Sequence, residues 1–298
     1  MIVGIDVGFG WTKIVSENNI IKKFPTWLAY NVEVDSLPEV ATVRYDGRLY
    51  VVGKDVKIMA QKIEISDINE LIKYSPIFVK YAEKLVKDKI EKVVTGVPIK
   101  YRNQKDKLKA AISDLGIECE VLPQGFGIFA DVVDTLITDE VLILDIGYNT
   151  LDYLIALKDE EEGWAKKRGN TIDKLGVIRA LEFFRDELPN DFSHVRNYSF
   201  SRLLEIFERG SIHFEEGFID VSKAKMTAIE SHTELIKTRL REELGEGALE
   251  INTIVIAGGG ANLTKIDLFK GAKKYIPEKP EFSQARGYLK YALKGIEY

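Results

Sequence analysis

Residues 6–10 read Asp6-Val7-Gly8-Phe9-Gly10, inside the opening run MIVGIDVGFGWTKIV. Within LILDIGYNTLDYLI the pattern returns as Asp145-Ile146-Gly147-Tyr148-Asn149, 139 residues later (145 − 6). Either turn alone is explained by ordinary turn chemistry, in which Asp and Gly are common. Two copies, each at the end of an apolar run, ask for a shared reason. A glycine after an apolar strand lets backbone N–H groups converge without a Cβ in the way, and such amides bind anions, phosphate above all. An aspartate beside them is suited to a hydrated Mg2+ rather than to the phosphate itself. Two copies on two domains would then grip one polyphosphate from both sides, and Lys13, returning along the second hairpin strand, would add positive charge. A third turn, Gly258-Gly259-Gly260-Ala261-Asn262, follows the buried-type run Thr253–Ala257 and would let backbone lie flat against a planar or charged group. It lacks the G-x-G-x-x-G spacing of a dinucleotide fold, and the chain has no P-loop.

The 298 residues exceed one ordinary core, so two domains are expected. A composition 45% hydrophobic and 30% charged is that of a soluble globular chain. The net charge of −5 gives no case for direct nucleic-acid binding. Cys119 is the only cysteine, which excludes an internal disulfide or a cysteine metal cluster. With no basic-then-apolar leader and no apolar run of spanning length, the expected location is cytoplasmic, without membrane insertion.

Along the chain, the first turn sits on a hairpin. Ser16–Asn19 tolerates a left-handed turn before a strand at Ile20–Phe24, and Asp46-Gly47 marks a second hairpin. Leu71–Lys89 and Gln104–Leu115 carry helical spacing, with Lys92–Pro98 a strand between them. ECEVLPQGFGIFADVVDTL reads as strand, turn and helix. The second half restarts with a hairpin whose far end is Glu160–Gly163. Helices are expected at Leu175–Leu188, Phe200–Arg209 and Val221–Leu244, and a last one at Gln284–Leu293. The pattern predicts an α/β protein of two duplicated domains.

The ordered set of motifs resembles the superfamily of actin, sugar kinases and heat-shock chaperone ATPases. DVGFGWTK is similar to its first phosphate motif, LDIGYNTLD to the second and IAGGGANL to the adenosine motif. VLPQGFGIFADV resembles the connecting segment that carries actin's hydrolytic glutamine, here Gln124. VVTGVPIKYRNQKDKL, DGRLYVVG and ARGYLKYAL look more narrowly like ParM-type bacterial or archaeal actin-like proteins. The resemblance implies two actin/ribonuclease H-like domains around an interdomain nucleotide cleft. Domain I would span 1–138, with a small β-rich subdomain near 30–70, plus a C-terminal helix at 283–298. Domain II would span 139–282, with a helical subdomain near 175–245. It implies ATP or GTP with Mg2+, the metal held through water by Asp6 and Asp145. Gly8, Phe9, Gly10, Lys13, Gly147, Tyr148, Asn149 and Thr150 would surround the phosphates. Gly258, Gly259, Gly260 and Ala261 would line the nucleoside side. Gln124 would place the attacking water, with Asp152 and Thr150 as second candidates. Phe9 stands where actin has a serine that senses the γ-phosphate, so a nucleotide switch must use other groups.

The function implied is a filament-forming ATPase in plasmid or DNA segregation or cytoskeletal scaffolding, with itself as main partner and a DNA-adaptor or cargo protein as another. The alternatives are a small-molecule kinase on the same fold, for which no dedicated catalytic base is visible, and a non-polymerising nucleotide-binding adaptor. The remaining marked residues have plainer readings. His194, His213 and His232 do not cluster as ligands. Asp131 and Asp134 read as an exposed helix face, Trp11, Trp27 and Trp164 as packing, and Lys237–Glu243 as a solvated face with i, i+4 pairs.

Overall fold

A computed structural model of the chain describes residues 1–31, 40–161, 163–189, 192–215, 217–245, 251–263 and 271–295. Part of the expected β-rich subdomain (32–39), Glu162 in the far end of the second hairpin and the last residues of the expected C-terminal helix (296–298) lie outside the described residues.

The chain opens with an antiparallel meander of β1 (Ile2–Val7), β2 (Trp11–Ser16) and β3 (Ile21–Pro25). The turn into β3 uses Asn19 at φ 59°, the left-handed conformation its sequence suggested. A small sheet follows, from β4 (Leu28–Tyr30), β5 (Thr42–Tyr45), β6 (Arg48–Val52) and β7 (Lys62–Ile63), in the order β5-β6-β4-β7. Asp46 and Gly47, at φ 46° and 72°, close its hairpin with both central residues left-handed, as an Asp-Gly pair favours. Helix α1 (Ile68–Val86) is capped by Asp67, whose carboxylate accepts from the amides of Asn69 and Glu70 at 2.7 and 3.0 Å. Strand β8 (Lys92–Val97), helix α2 (Lys105–Ser113) and strand β9 (Glu118–Pro123) complete a sheet of order β3-β2-β1-β8-β9, with β8 and β9 parallel to β1. Helix α3 (Phe126–Val132) then leads to the second half.

That half repeats the plan. Strands β10 (Glu140–Ile146), β11 (Thr150–Asp159) and β12 (Gly163–Asp173) form a meander. An insert follows: α4 (Val177–Glu187), α5 (Ser193–Arg196), α6 (Phe200–Arg209) and a hairpin of β13 (Ser211–Phe214) with β14 (Gly217–Asp220). Helix α7 (Ser222–Leu244) leads to β15 (Thr253–Ala257) and β16 (Lys273–Tyr275), which lie parallel to β10 in a sheet of order β12-β11-β10-β15-β16. Meander of three, then two parallel strands, is the same topology as the first sheet. The central strands β1 and β10 are buried almost end to end because each sheet is covered on both faces, and their near-continuous apolar runs meet that need. The β13–β14 hairpin went unread in the sequence, since its four-residue strands carry too little alternation to stand out.

The last helix, α8 (Ser283–Lys294), crosses between the halves. Its Ala285 and Leu289 pack with Ile2 and Val15 of the first sheet. Conversely Phe126, Ile128 and Phe129 of α3 pack against Val141, Ile143 and Leu154 of the second sheet. The two helices touch at Gly127 and Gly287, where a Cβ on Gly287 would stand 1.5 Å from the Gly127 carbonyl oxygen. Asp131, expected on an exposed face, is instead their polar tie. Its carboxylate accepts from the Ser283 hydroxyl at 2.6 Å and from Arg286 Nε and Nη2 at 3.0 and 2.7 Å. A helix face that looks solvated by itself is covered here by α8, which arrives from the far end of the chain. Asp134 is exposed as expected and pairs with Lys290. The α7 face carries i, i+3 rather than i, i+4 pairs, Lys237 with Glu234 and Arg239 with Glu242. Among the described residues no helix is long and apolar enough to cross a membrane.

Candidate functional site

The two repeated turns superpose in their bonding as well as in their letters. Gly8 N–H donates to the Trp11 carbonyl at 3.2 Å, and Gly147 N–H donates to the Thr150 carbonyl at 2.9 Å. The amides of Phe9, Gly10, Tyr148 and Asn149, between these anchors, take no part in those bonds. Register then sets the chemistry behind each turn: Asp6 lies opposite Lys13, and Asp145 opposite Asp152. The second copy thus has a carboxylate where the first has an ammonium. The turns meet, since a Cβ on Gly10 would stand 2.9 Å from Cγ of the Tyr148 ring. Phe9 packs on the first core and Tyr148 on the core of the helical insert.

Around this meeting point lies a cleft of about 770 Å³. Asp6, Gly8, Phe9, Gly10 and Lys13 line it from the first half, together with Gln124, which sits just before α3 and whose backbone N–H donates to Val97 O at 2.8 Å. Asp145, Gly147, Tyr148, Asn149, Thr150 and Asp152 line it from the second half. The third turn contributes Gly259 and Asn262. Gly258, half-buried, and Gly260, buried, both expected along the nucleoside side, are not among the residues that line this cleft. A Cβ on Gly258 would meet Asp145 Oδ1 at 2.3 Å, and Gly260 N–H donates to Ile146 O at 2.8 Å. Parallel pairing of β15 with β10 puts Ala257 beside Asp145, so these glycines let the third turn fold directly over the second. Ala261 is buried behind them.

The floor is strongly charged and largely buried. Lys13 Nζ lies 2.7 Å from Asp6 Oδ2. Burial pulls the Lys13 ammonium down, but the charge and hydrogen bond of Asp6, with Asp145 and Glu281 further off, hold it above its ordinary value. Burial pushes Asp145 up to about 8, helped by the negative charges of Asp6 and Asp152 and opposed by Lys13. Burial also raises Asp152 to about 7, although the hydroxyls of Thr171 and Thr150 donate to it. Two buried carboxylates held at such values mark excess negative charge that a bound divalent cation would relieve. Among the described residues no three carboxylate, histidine or cysteine groups converge as direct ligands. The donor set therefore suits a cation that keeps its waters, as Mg2+ does, rather than a dry cage.

Several cleft residues were not anticipated. Trp11 and Trp27, read as packing, line the cleft, whereas Trp164 packs edge-on against Phe129 as expected. Lys23, Lys57, Leu204, Glu205 and Glu281 also line it. Lys57, in the turn after β6, pairs with Glu205 of α6 at 3.5 Å, joining the small sheet to the helical insert. Register from Lys13 was the one available signal for Lys23; no local pattern marks the others. Of the histidines, His232 is buried with Nε2 3.0 Å from Leu175 O.

The family model for the N-terminal domain of actin-like proteins matches residues 4–127, and that for the C-terminal domain of archaeal actin homologues of the MreB-like kind matches residues 143–269. The chain has an actin-like two-domain fold. Solved structures agree with this actin-like assignment over almost the whole length. A non-polymerisable pCBH ParM quadruple mutant is 22% identical at a TM-score of 0.77, covering 98% of this chain and 99% of that one. The archaeal actin homologue Ta0583 is 17% identical at 0.75, again covering 98% and 99%. A MamK double helical filament is 20% identical at 0.69, covering 98% of each. The comparison with curated proteins finds no match.

Proposed function

We propose that this actin-like chain binds a nucleoside triphosphate with Mg2+ between its two halves, hydrolyses it slowly, and assembles with copies of itself into filaments. The observation that carries the reading is the pair of bonded turns meeting at Gly10 and Tyr148 over three buried carboxylates and one lysine. In this reading the turn amides of Phe9, Gly10, Tyr148 and Asn149, with Lys13, hold the phosphates. Asp6 and Asp145 would hold a hydrated Mg2+, which would supply neutralising charge for the phosphoryl group. Asp152, near neutral in its proton affinity and oriented by two hydroxyls, accepts a proton from the attacking water, which Gln124 orients. Positioning and electrostatics supply most of the rate. Gly259 and Asn262 receive the nucleoside. The halves are divided at 138/139 and 282/283, so that α8 moves with the first sheet on which it packs.

Relatives support both parts: Ta0583 and a ParM of Bacillus thuringiensis are solved with ADP, and a ParM of Clostridium botulinum and MamK are solved as filaments. Electron microscopy and phosphate release with Mg-ATP and Mg-GTP test the reading. Filaments that depend on nucleotide are expected, and hydrolysis should be much slower in Gln124→Ala with binding retained. A protein that neither binds a nucleotide nor assembles overturns it.

A further inference from the structure

The register that set Lys13 opposite Asp6 continues one strand outward. Lys13 lies opposite Lys23 on β3, so Asp6, Lys13 and Lys23 form one row across the first sheet. Opposed residues of an antiparallel pair share a face, so all three side chains stand on the side that carries the cleft floor. The matching row of the second sheet is Asp145, Asp152 and Thr171. One half therefore faces the cleft with one carboxylate and two ammonium groups, the other with two carboxylates and a hydroxyl.

Lys23 is not disposed like an ordinary edge-strand lysine, which blunts a sheet edge by extending into water. Its Nζ lies 3.3 Å from Glu281 Oε1, in the turn leading to α8, and 5.5 and 5.9 Å from the ring centroids of Trp11 and Phe282. Trp11, Lys23 and Glu281 all line the cleft. Glu281 is a weak partner, because the pair is partly exposed, at 46% for Lys23 and 26% for Glu281. A polyphosphate carries more charge and more acceptor oxygens than one carboxylate, so it can outcompete Glu281 for this ammonium.

We propose that Lys23 is a second phosphate-binding cation of this cleft, paired with Glu281 and drawn onto the terminal phosphate when a nucleoside triphosphate binds. The inference rests on the nucleotide reading above. Lys23 stands one strand farther out along the row than Lys13, and the nucleotide reading gives this outer ammonium the terminal phosphate as its partner. The Lys23–Glu281 pair then opens when triphosphate binds and re-forms on the diphosphate. Because Glu281 lies two residues before α8, that exchange reports the terminal phosphate to the helix that crosses both halves.

The test is titration of the full chain with Mg-ATP and Mg-ADP, followed by Trp11 emission against a Trp11→Phe background and by calorimetry. Lys23→Gln is expected to weaken Mg-ATP about tenfold and Mg-ADP much less, equivalent to loss of one charged hydrogen bond. Lys23→Arg should restore most of the ATP affinity. Glu281→Gln, by freeing Lys23, should tighten ATP and reduce the Trp11 emission change. Thermal midpoints near that of the parent confirm that the variants fold. Parent-like affinities in Lys23→Gln, or equal losses for the two nucleotides, overturn the assignment. If the parent itself binds neither nucleotide, it is the nucleotide reading that fails.

Discussion

At the scale of single residues, the cleft floor shows how one substitution between duplicated turns polarises a site. Asp6 is answered across its hairpin by Lys13, but Asp145 is answered by Asp152. The consequence is measurable without any ligand. Because burial raises the Asp145 carboxyl from 3.8 to about 8, the folded state binds more protons than the unfolded state between those values. Stability contributed by this group therefore falls as pH rises through that window. Asp145→Asn removes the penalty, so the nucleotide-free variant should melt several degrees above the parent at pH 9, at roughly 2–4 °C per kcal/mol. The advantage should shrink toward pH 4, and the same variant should lose Mg-nucleotide binding by orders of magnitude. Equal melting curves across that range would contradict the buried, repelled state of Asp145.

At the scale of elements, the crossing of α3 and α8 is the least tolerant contact. A Cβ on Gly287 would collide with backbone of Gly127, which cannot swing aside as a side chain would. Gly287→Ala should therefore cost about 3 kcal/mol in denaturant unfolding, the upper end for overpacking. Gly259→Ala, where a Cβ meets nothing within 4 Å, should stay within about 0.5 kcal/mol of the parent. Similar losses in the two would show that the crossing is looser than its geometry. The tie of Asp131 to Ser283 and Arg286 gives an acidic residue its partners on a helix face that is covered.

At the scale of the whole molecule, Lys57 and Glu205, which both line the cleft, pair between two inserts that share no sheet. An exposed pair of this kind is worth at most about 1 kcal/mol. Lys57→Glu should accordingly speed nucleotide release by about twofold to fivefold. The double exchange Lys57→Glu with Glu205→Lys should return release to the parent rate, as stopped-flow displacement would show. No change in the single variant would mean that the two inserts do not gate the cleft.

Much of this was legible from local pattern. The repeated turn, Asp46-Gly47, Asn19 and the apolar central strands announce themselves because turn chemistry and alternation act over a few residues. So does the order of the three glycine turns, and with it the actin-like fold. The sequence by itself determined which residue types stand at the repeated turns: Asp6, Lys13 and Asp145, with glycine-flanked backbone beside them. What only the tertiary structure decided is which of those face the cleft and what they feel there. The third glycine turn folds over the second because β15 pairs beside β10, Asp131 is covered by a helix from the far end of the chain, and Lys23 reaches the cleft through register across two strands. Each depends on contacts between segments distant in sequence, whose geometry is set by packing rather than by neighbours along the chain.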